Sequence, residues 1–326
     1  MNDAHKRLLG LMSDGVFHSG QQLAEHLNVT RASVWKYLQQ LRDYGLEVES
    51  RHGLGYRLPQ AIELLDASKI KNALTKTAKG YCSGIDTFEE IDSTNAFILN
   101  QLNFAMPPGS VVMAEYQTNG KGRRGHQWLS PYASGINFSL FWRQENTQTT
   151  IGALSLIIGV AVIRSLKHIG IHRAGLKWPN DILIDNAKLG GILIDLQGEA
   201  NGPVNIVIGV GLNYRLPEAG LILKEHIATD ICTHTDTLFS RNELAALIIS
   251  SIFTVLDEIN NQEYADLINE WRRYDAYKGR TASLLINNDT LTGILNGVND
   301  DGCLLMHIKG EEQHFACGEL SLRVEQ

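Results

Sequence analysis

Gly120-Lys121-Gly122-Arg123-Arg124-Gly125-His126-Gln127-Trp128 follows an apolar run, SVVMAEYQ, that reads as a β-strand. The glycine spacing matches G-x-G-x-x-G, the pattern of a dinucleotide-binding turn. That turn needs a helix directly after it, so that the helix N-terminus meets the pyrophosphate. Here the chain continues LSPYASG, with Ser130, Pro131 and Gly135, which is no helix. A P-loop is excluded as well, because G-K-[ST] does not occur. What remains is a glycine-rich loop with three cations. Glycine lets backbone N–H groups approach a ligand closely, and Arg fits phosphate oxygens in two-pronged geometry. The loop suits an anionic ligand on which phosphate charge develops during reaction. A solvated basic turn, or an additional DNA contact, would use the same residues.

Working outward, Lys177-Trp178-Pro179-Asn180-Asp181 sits at a strand end, and Lys188-Leu189-Gly190-Gly191-Ile192-Leu193 follows shortly after. Gly209-Val210-Gly211-Leu212-Asn213 ends a further strand. Glycines inside strands mark close approach by a ligand or another backbone. The strands expected here are FEEID, SVVMAEYQ, GINFSLFW, GLKWPNDILID, KLGGILIDL and NIVIGVGLN. The helices are TNAFILNQL, ALSLIIGVAVIRSLKHIG and RNELAALIISSIFTVLDEI, and IELLDASKIKNAL is a further helix near the start of this unit. This mixture is α+β, a substantial sheet backed by helices. Ser93 and Thr94 suit capping of the helix that follows.

Residues 1–60 form a separate unit. Leu8, Leu9, Leu11 and Met12 give a first helix an apolar stripe, and Gly15 ends it. Ser19 caps QQLAEHL, Thr30 caps RASVWKYLQQLRDYG, and a three-residue turn joins the two. That is a helix-turn-helix pattern. LEVESRHGLGYRL then alternates and turns at Gly53 and Gly55, a β-hairpin wing. The outward face of the third helix holds Arg31, Ser33, Lys36, Tyr37 and Gln40, types suited to phosphate and base-edge contacts in a major groove. Arg51 and His52 at the wing tip would add phosphate contacts. A plain helical cap would show the same apolar spacing. The first 60 residues carry +1 and the remainder −8 of the net −7, which places any DNA-binding surface at the N-terminus.

From about Asp275, short strands separated by turns at Asn287-Asn288-Asp289, Asn299-Asp300-Asp301-Gly302 and Lys309-Gly310-Glu311 read as a small barrel. Hydrophobic residues make up 44% of the 326 and charged ones 20%, enough apolar material for a large core and too much for a disordered chain. No apolar run is long enough to span a membrane, and the start lacks a secretory signal. Cys82, Cys232, Cys303 and Cys317 lie far apart without metal-ligand spacing, so reduced thiols, no metal site and a cytoplasmic location are expected.

The combination of Ser93-Thr94-Asn95, GKGRRGHQW, KWPNDI, KLGGIL and GVGLN resembles the biotin–protein ligase family. With the helix-turn-helix in front, the chain resembles the bifunctional branch, in which ligase and biotin operon repressor share one chain. The likeness runs over essentially the whole length, in order. It implies a winged helix-turn-helix over 1–64, a mixed α/β catalytic domain of biotin/lipoate ligase type over 65–274 and an SH3-like β-barrel over 275–326. It also implies two-step chemistry. Biotin's carboxylate attacks the α-phosphate of ATP, with Mg²⁺ assistance, and a lysine of the biotin carboxyl carrier protein then attacks the biotinyl-5′-AMP. Developing phosphate charge calls for preorganised cations rather than a protein nucleophile.

Carried over by that resemblance, Ser93, Thr94, Asn95 and Gln117 belong to the biotin site, together with Lys121, Gly122, Arg123 and Lys188. Gly120, Arg123, Arg124, Trp128 and Asn213 belong to the nucleotide site, Trp128 as a wall for adenine. Arg123 and Lys188 carry the chemistry, and Asp181 orients a lysine. Arg31, Ser33, Lys36 and Tyr37 contact operator DNA, and the adenylate acts as corepressor by promoting a homodimer. Each has a structural counterpart, such as Trp128 as core, Lys177 as a structural residue or Lys188 as a surface ion-pair partner. A repressor that only senses biotin, a ligase for lipoate and a ligase with a vestigial N-terminal unit stay open at this point. The family loop usually reads G-R-G-R-x-G-[RK]-x-W, whereas this chain has Lys121 and His126. Lys121 keeps the charge without the planar fork of Arg.

Overall fold

In the computed structural model, side-chain caps set the N-terminal unit. The structure describes every residue except 1–2, 60, 105, 146–150, 199–201, 218–221, 224–225, 236, 238, 261–263, 287–288, 317–319 and 325–326. Helix α1 (Asp3–Met12) stops before Gly15, which takes φ +71°. Helix α2 (Gly20–Leu27) starts at a reciprocal box between Ser19 and Gln22 and ends at Asn28 in the left-handed region. Helix α3 (Arg31–Asp43) is capped by Thr30, whose hydroxyl accepts from the Ser33 amide. Leu8, Leu9, Met12, Leu23, Leu27, Val34, Leu38 and Leu41 close into one core. The expected wing is an antiparallel hairpin, β1 (Glu49–Arg51) with β2 (Gly55–Arg57), Ser50 opposite Tyr56. It is laced to the entry of α2, where His18 and Tyr56 exchange backbone hydrogen bonds of 2.8 and 2.9 Å.

The helix expected from Ile62 onward begins only at Ala67. Asp66 caps α4 (Ala67–Ala73) by accepting from Ser68 and Lys69. The residues before it are drawn elsewhere: the Leu65 amide donates to Glu115 over 2.5 Å. A short helix not expected from the sequence, α5 (Lys76–Tyr81), follows on a Thr75 cap.

Seven strands make the central sheet. They are β3 (Gly84–Ile91), β4 (Ser110–Gln117), β5 (Gly135–Gln144), β6 (Ala174–Lys177), β7 (Asp181–Ile184), β8 (Ala187–Gly198) and β9 (Val204–Asn213), in the order β3-β4-β5-β9-β8-β7-β6. β3 and β4 run parallel around α6 (Thr94–Gln101), and every other pair is antiparallel. GLKWPNDILID, expected as one strand, is two. Pro179 has no N–H for a ladder, and the chain turns through Trp178–Asn180 so that Lys177 pairs with Asp181.

The core lies mainly on one face of this sheet. Helix α7 (Leu154–His168) is apolar nearly all round and is sandwiched between the sheet, α8 (Arg241–Asn260) and α9 (Tyr264–Tyr274). Arg164 ties the three helices by donating to Glu258 and Glu270, at 2.7 Å each in the closest contacts. On the opposite face α6 sets Ile98 against Val112, Phe141 and Val207. Between β9 and α8 lie the short strands β10 (Ile222–Leu223) and β11 (His226–Ile227). The C-terminal unit is a five-stranded antiparallel sheet of β12 (Thr281–Ile286), β13 (Asp289–Val298), β14 (Leu304–Ile308), β15 (Glu311–Phe315) and β16 (Leu320–Val324), ordered β15-β14-β13-β12-β16. Lys309 and Gly310, at φ +52° and +93°, make the tight turn joining β14 to β15. Asn287 and Asn288 of the expected first turn lie outside the described residues. So does Cys317, while Cys82, Cys232 and Cys303 are free thiols.

Candidate active site and DNA-facing helix

Antiparallel alternation brings the chemistry-bearing residues to one edge of the sheet. Register pairs Ile91 with Gln117, Gly135 with Asn213, Gly190 with Leu212, Gly191 with Asp181 and Asp181 with Lys177. The five sequence motifs therefore meet along one line of strand ends, although they are dispersed through the chain.

At the β4 side, Ser93 caps α6 as expected, and Gln117 fixes the first turn. Its Oε1 accepts from the Thr94 amide at 2.9 Å and the Thr94 hydroxyl at 3.2 Å. Ser139 on β5 places its hydroxyl 2.6 Å from Thr94 Oγ1 and also donates to Asn95 Oδ1. Asn95 donates in turn to Asp195 over 2.7 Å. A Cβ on Gly209 would lie 2.3 Å from Asn95 Oδ1, which is why that strand position carries no side chain. Ser93, Thr94 and Asn95 are all buried. This is a buried polar cluster in which each group is already oriented, rich in amide and hydroxyl donors and acceptors.

After β4 the basic loop is a folded hairpin rather than an open turn. Lys121 stands opposite Gln127, the Gly122 amide donates to His126 over 2.7 Å, and the Trp128 amide donates to Gly120 over 2.8 Å. Arg124 turns the tip at φ +55°. Lys121 and Arg124 are exposed and Arg123 is half-buried. Trp128 is half-buried too, so it is not a core residue. Its Nε1 donates to Asn137 over 2.8 Å, and its ring lies on Gly211, where a Cβ would come within 2.5 Å of Cε2.

Next to Trp128 stands a cluster of charge. Lys188 Nζ is 2.6 Å from Asp181 Oδ1 and 6.0 Å from the Trp128 ring centroid. Lys177 Nζ is 3.8 Å from the other Asp181 oxygen. Burial pulls the Lys177 ammonium below the usual lysine range, against the pull of Asp181 in the other direction, and the nearby Lys188 adds to the lowering. Asn213 does not present its side-chain N–H groups to a ligand. They donate to Thr229 O at 3.0 Å and Lys188 O at 3.4 Å, and so hold the Lys188 strand in place. A separate acid-lined cleft at Glu89, Glu90, Ile91, Asp92 and Thr118 has the wrong sign for a phosphate. Among the described residues no His, Cys, Asp or Glu cluster could hold a metal, and no helix is long and apolar enough to cross a membrane.

On the N-terminal unit, Arg31 and Lys36 are exposed on α3 as expected. Ser33 is half-buried, its hydroxyl 3.0 Å from that of Thr30. Tyr37 packs edge-on against His5, ring centroids 5.0 Å apart, and Gln40 pairs with His5 Nε2 at 2.9 Å, so both also serve the contact with α1. Two residues escaped the sequence reading. Trp35 is 57% exposed on the outward face of α3, where helical spacing from Val34, Leu38 and Leu41 would have placed it. Tyr277 sets its ring 5.9 Å from Lys177 Nζ, and no local pattern links residues so far apart in the chain.

Comparison with known proteins agrees with this geometry. The model of the biotin/lipoate A/B protein ligase family matches residues 87–213, and that of an HTH domain matches residues 7–57. The chain is 35% identical to the bifunctional ligase/repressor BirA of Salmonella typhimurium, over 97% of this chain and 96% of that one. It is 34% identical to the bifunctional ligase/repressor BirA of Escherichia coli strain K12, over 99% and 98%. Among solved structures, biotin protein ligase from Aquifex aeolicus in complex with biotin and ATP aligns with a TM-score of 0.65 at 25% identity, covering 74% of this chain and 100% of that one. Fold and site together define a protein-ligase domain that carries a DNA-binding unit at its N-terminus. The chain belongs to the biotin/lipoate A/B protein ligase family, among its bifunctional ligase/repressors.

Proposed function

We propose that the strand-end site makes biotinyl-5′-AMP and that the adenylate governs operator binding. Ligation of biotin at the expense of ATP, and repression, are the two activities of the chain. The observation that carries the assignment of residues is the meeting of Ser93, Thr94 and Gln117 with the 120–128 hairpin and Lys188 on one sheet edge. The Ser93–Asn95 cluster and Gln117 would hold the biotin ring. Lys121, Gly122 and Arg123 would close over it. Lys188 would meet the biotin carboxylate and then the α-phosphate, and Arg123 would hold the adenylate. Gly120, Arg124 and Trp128 would bound the nucleotide, while Asn213 supports it through the Lys188 strand.

Attack of the carboxylate on the α-phosphorus expels pyrophosphate and builds charge on equatorial oxygens, which fixed cations stabilise. The mixed anhydride then passes its biotinyl group to a lysine of the biotin carboxyl carrier protein. Mg²⁺ fits as a companion of the triphosphate, since it keeps several waters and takes few protein carboxylates. It would neutralise charge on the departing pyrophosphate.

For repression, Arg31, Ser33, Lys36 and Tyr37 would contact operator DNA, and two copies would bind a palindrome after adenylate-promoted dimerisation. One element supports a dimer. β8 runs on past β7, so, among the described residues, 193–198 pair with β9 alone, an open edge beside the exposed Leu196. We place this chemistry in the cytoplasm and assign its units to 1–64, 65–274 and 275–326. The test is incubation with ATP, Mg²⁺ and either biotin or lipoate, followed by mass spectrometry. Biotinyl-5′-AMP from biotin alone is expected, as is a doubled sedimenting mass when it is bound. A folded protein that binds biotin yet forms no adenylate, or an unchanged mass, would overturn the corresponding part.

A further inference from the structure

We propose that Lys177 is a positioning residue for Lys188, held by Tyr277 at the entry to the C-terminal unit, so that this unit completes the adenylating site. The inference rests on the reading of Lys188 as the cation that meets the reacting phosphate.

The geometry is a carboxylate shared by two ammonium groups. Asp181 gives one oxygen to Lys188 at 2.6 Å and turns the other toward Lys177 at 3.8 Å. Paired only with Asp181, Lys188 would belong to a neutral couple and would pull weakly on an arriving anion. A second ammonium restores one net positive charge to the cluster and divides the carboxylate's attraction, which leaves Lys188 free to turn to the phosphate. Lys177 is poorly placed to be an ion pair for its own sake. Its side chain is only 13% exposed, and its distance to Asp181 exceeds a hydrogen bond. Holding a charge there costs solvation that one distant carboxylate offsets incompletely.

The remaining support comes from Tyr277. Its ring is buried, 5.9 Å from Lys177 Nζ, and the electron-rich face of a tyrosine favours a nearby cation. The ring is itself braced by Arg280, 5.2 Å from its centroid, and Arg280 donates to Asn186 in the β7–β8 turn over 3.2 Å. The chain leading to Tyr277 is stitched to β6, where the Ala276 amide donates to Leu176 O at 2.9 Å. Trp178, the next residue after Lys177, donates from Nε1 to Gly302 O at 3.2 Å. The C-terminal unit thus touches the KWPND turn from two sides and reaches the charge cluster through a single aromatic ring.

A pH signature follows. The charged and titratable groups facing Lys177 are Asp181 on β7, Lys188 on β8, and Tyr277 with Arg280, while Asp275 and Lys278 adjoin the same connection. Lys177 loses its proton at lower pH than an ordinary lysine, because burial disfavours its charged form. Once it is neutral, Asp181 belongs to Lys188 alone and adenylation slows, so the alkaline limb of the rate profile should come early.

The experiment is single-turnover adenylation by the full chain, with biotin affinity measured in parallel, for Lys177→Met, Lys177→Arg, Tyr277→Leu, Tyr277→Phe and Lys188→Met. Lys177→Met should adenylate about 10-fold more slowly, with biotin Kd within about 2-fold and the early alkaline limb gone. Lys177→Arg should recover most of the rate and push the limb to higher pH. Tyr277→Leu should lose about 3-fold and Tyr277→Phe almost nothing, since the ring face is kept. The tyrosine pair decides the matter alone if Lys177→Met fails to fold. A wild-type rate and profile in Lys177→Met overturns the proposal, as does equal loss in Lys177→Met and Lys177→Arg with weakened biotin binding. Normal adenylation by Lys188→Met would instead overturn the reading of the site on which the proposal rests.

Discussion

The backbone amide of Tyr132 donates to the carbonyl of Tyr44 over 2.9 Å, which fastens the end of α3 to the segment leaving Trp128. Aromatic and charged contacts surround this bond. The Tyr44 ring meets Tyr116 and Tyr132 edge-on at 5.1 and 6.0 Å, its hydroxyl donates to Glu90 over 2.6 Å, and Lys6 pairs with Glu89 at 2.9 Å. Tyr132 and Ala133 belong to the same buried cluster as the helix-turn-helix core. Helix α3 is therefore packed against the stretch that also carries Trp128.

Gly45 sits at the centre of that contact with φ +82°, and a Cβ there would lie 2.8 Å from Pro131 Cβ. Gly45→Ala combines backbone strain with direct overlap, so the N-terminal unit should be displaced from its seat. Operator affinity is expected to fall about 10-fold, while adenylation stays within about 2-fold. Fluorescence anisotropy on operator DNA and single-turnover adenylation measure the two separately. Unaltered DNA binding would mean that the seat has no part in presenting α3.

Gly211 makes the complementary test inside the ligase. Its missing side chain is the space in which the Trp128 ring rests, with Cε2 at 2.5 Å from a hypothetical Cβ. Gly211→Ala must push the ring off the strand and weaken its hydrogen bond to Asn137. Stacking on an aromatic wall is worth about 1–3 kcal/mol per base, so the KM for ATP should rise about 10-fold. Biotin affinity, read by calorimetry without nucleotide, should change little, because Ser93–Asn95 at the start of α6 and Gln117 on β4 lie on other elements. An unchanged KM would remove Trp128 from the nucleotide site.

A buried ion pair anchors the connection between the two units. Arg241, 1% exposed, donates to Glu115 over 2.6 Å, to Gly135 O and to Glu63 O at 3.0 Å. Arg241→Met leaves the Glu115 charge without its partner in the interior and should destabilise the chain by about 3–5 kcal/mol, read from urea unfolding. Adding Glu115→Gln should recover part of the loss. Glu63 contributes to the same anchor. Burial raises its pKa, but hydrogen bonds from Asn242, Ser240 and the Arg241 amide outweigh that, and the carboxyl ends below the usual range. A depressed carboxylate adds stability above its unfolded pKa and loses it as pH falls through the folded value. The wild type should therefore weaken as pH drops below about 4.3, and Glu63→Gln should show a shallower fall. Equal slopes for the two proteins would place the acid sensitivity elsewhere.

The sequence revealed the parts of this molecule that repeat locally. Ser19 and Thr30 announce helix starts by their own chemistry, and Leu23, Ala24 and Leu27 or Val34, Leu38 and Leu41 announce buried faces by spacing. The site motifs were visible for a similar reason, since glycines at 120, 190, 209 and 211 break strand propensity where something must come close. Contacts across the fold were not visible. The expected helix at Ile62 gave way because Glu115 and Asn242, far away in the chain, capture the backbone of Leu65 and Asp66. The resemblance puts Asn213 at the nucleotide site, but no local pattern shows that its amide donates to the backbone of Lys188 and Thr229. Nothing near Tyr277 in sequence signals that it faces Lys177.

Lys121 offers a test that sequence and geometry pose together. In the folded hairpin it lies opposite Gln127 with an exposed side chain, one residue before the amide that closes onto His126. An ammonium there reaches an anion as a single point of charge, whereas a guanidinium would meet a carboxylate or phosphate with two parallel N–H groups. Lys121→Arg should therefore hold the adenylate longer, slowing its release by about 5–10-fold, the effect of one added charge-assisted hydrogen bond. Stopped-flow displacement of biotinyl-5′-AMP by excess biotin measures this. A release rate equal to wild type would mean that position 121 acts through its backbone in the hairpin and that its side chain points away from the ligand.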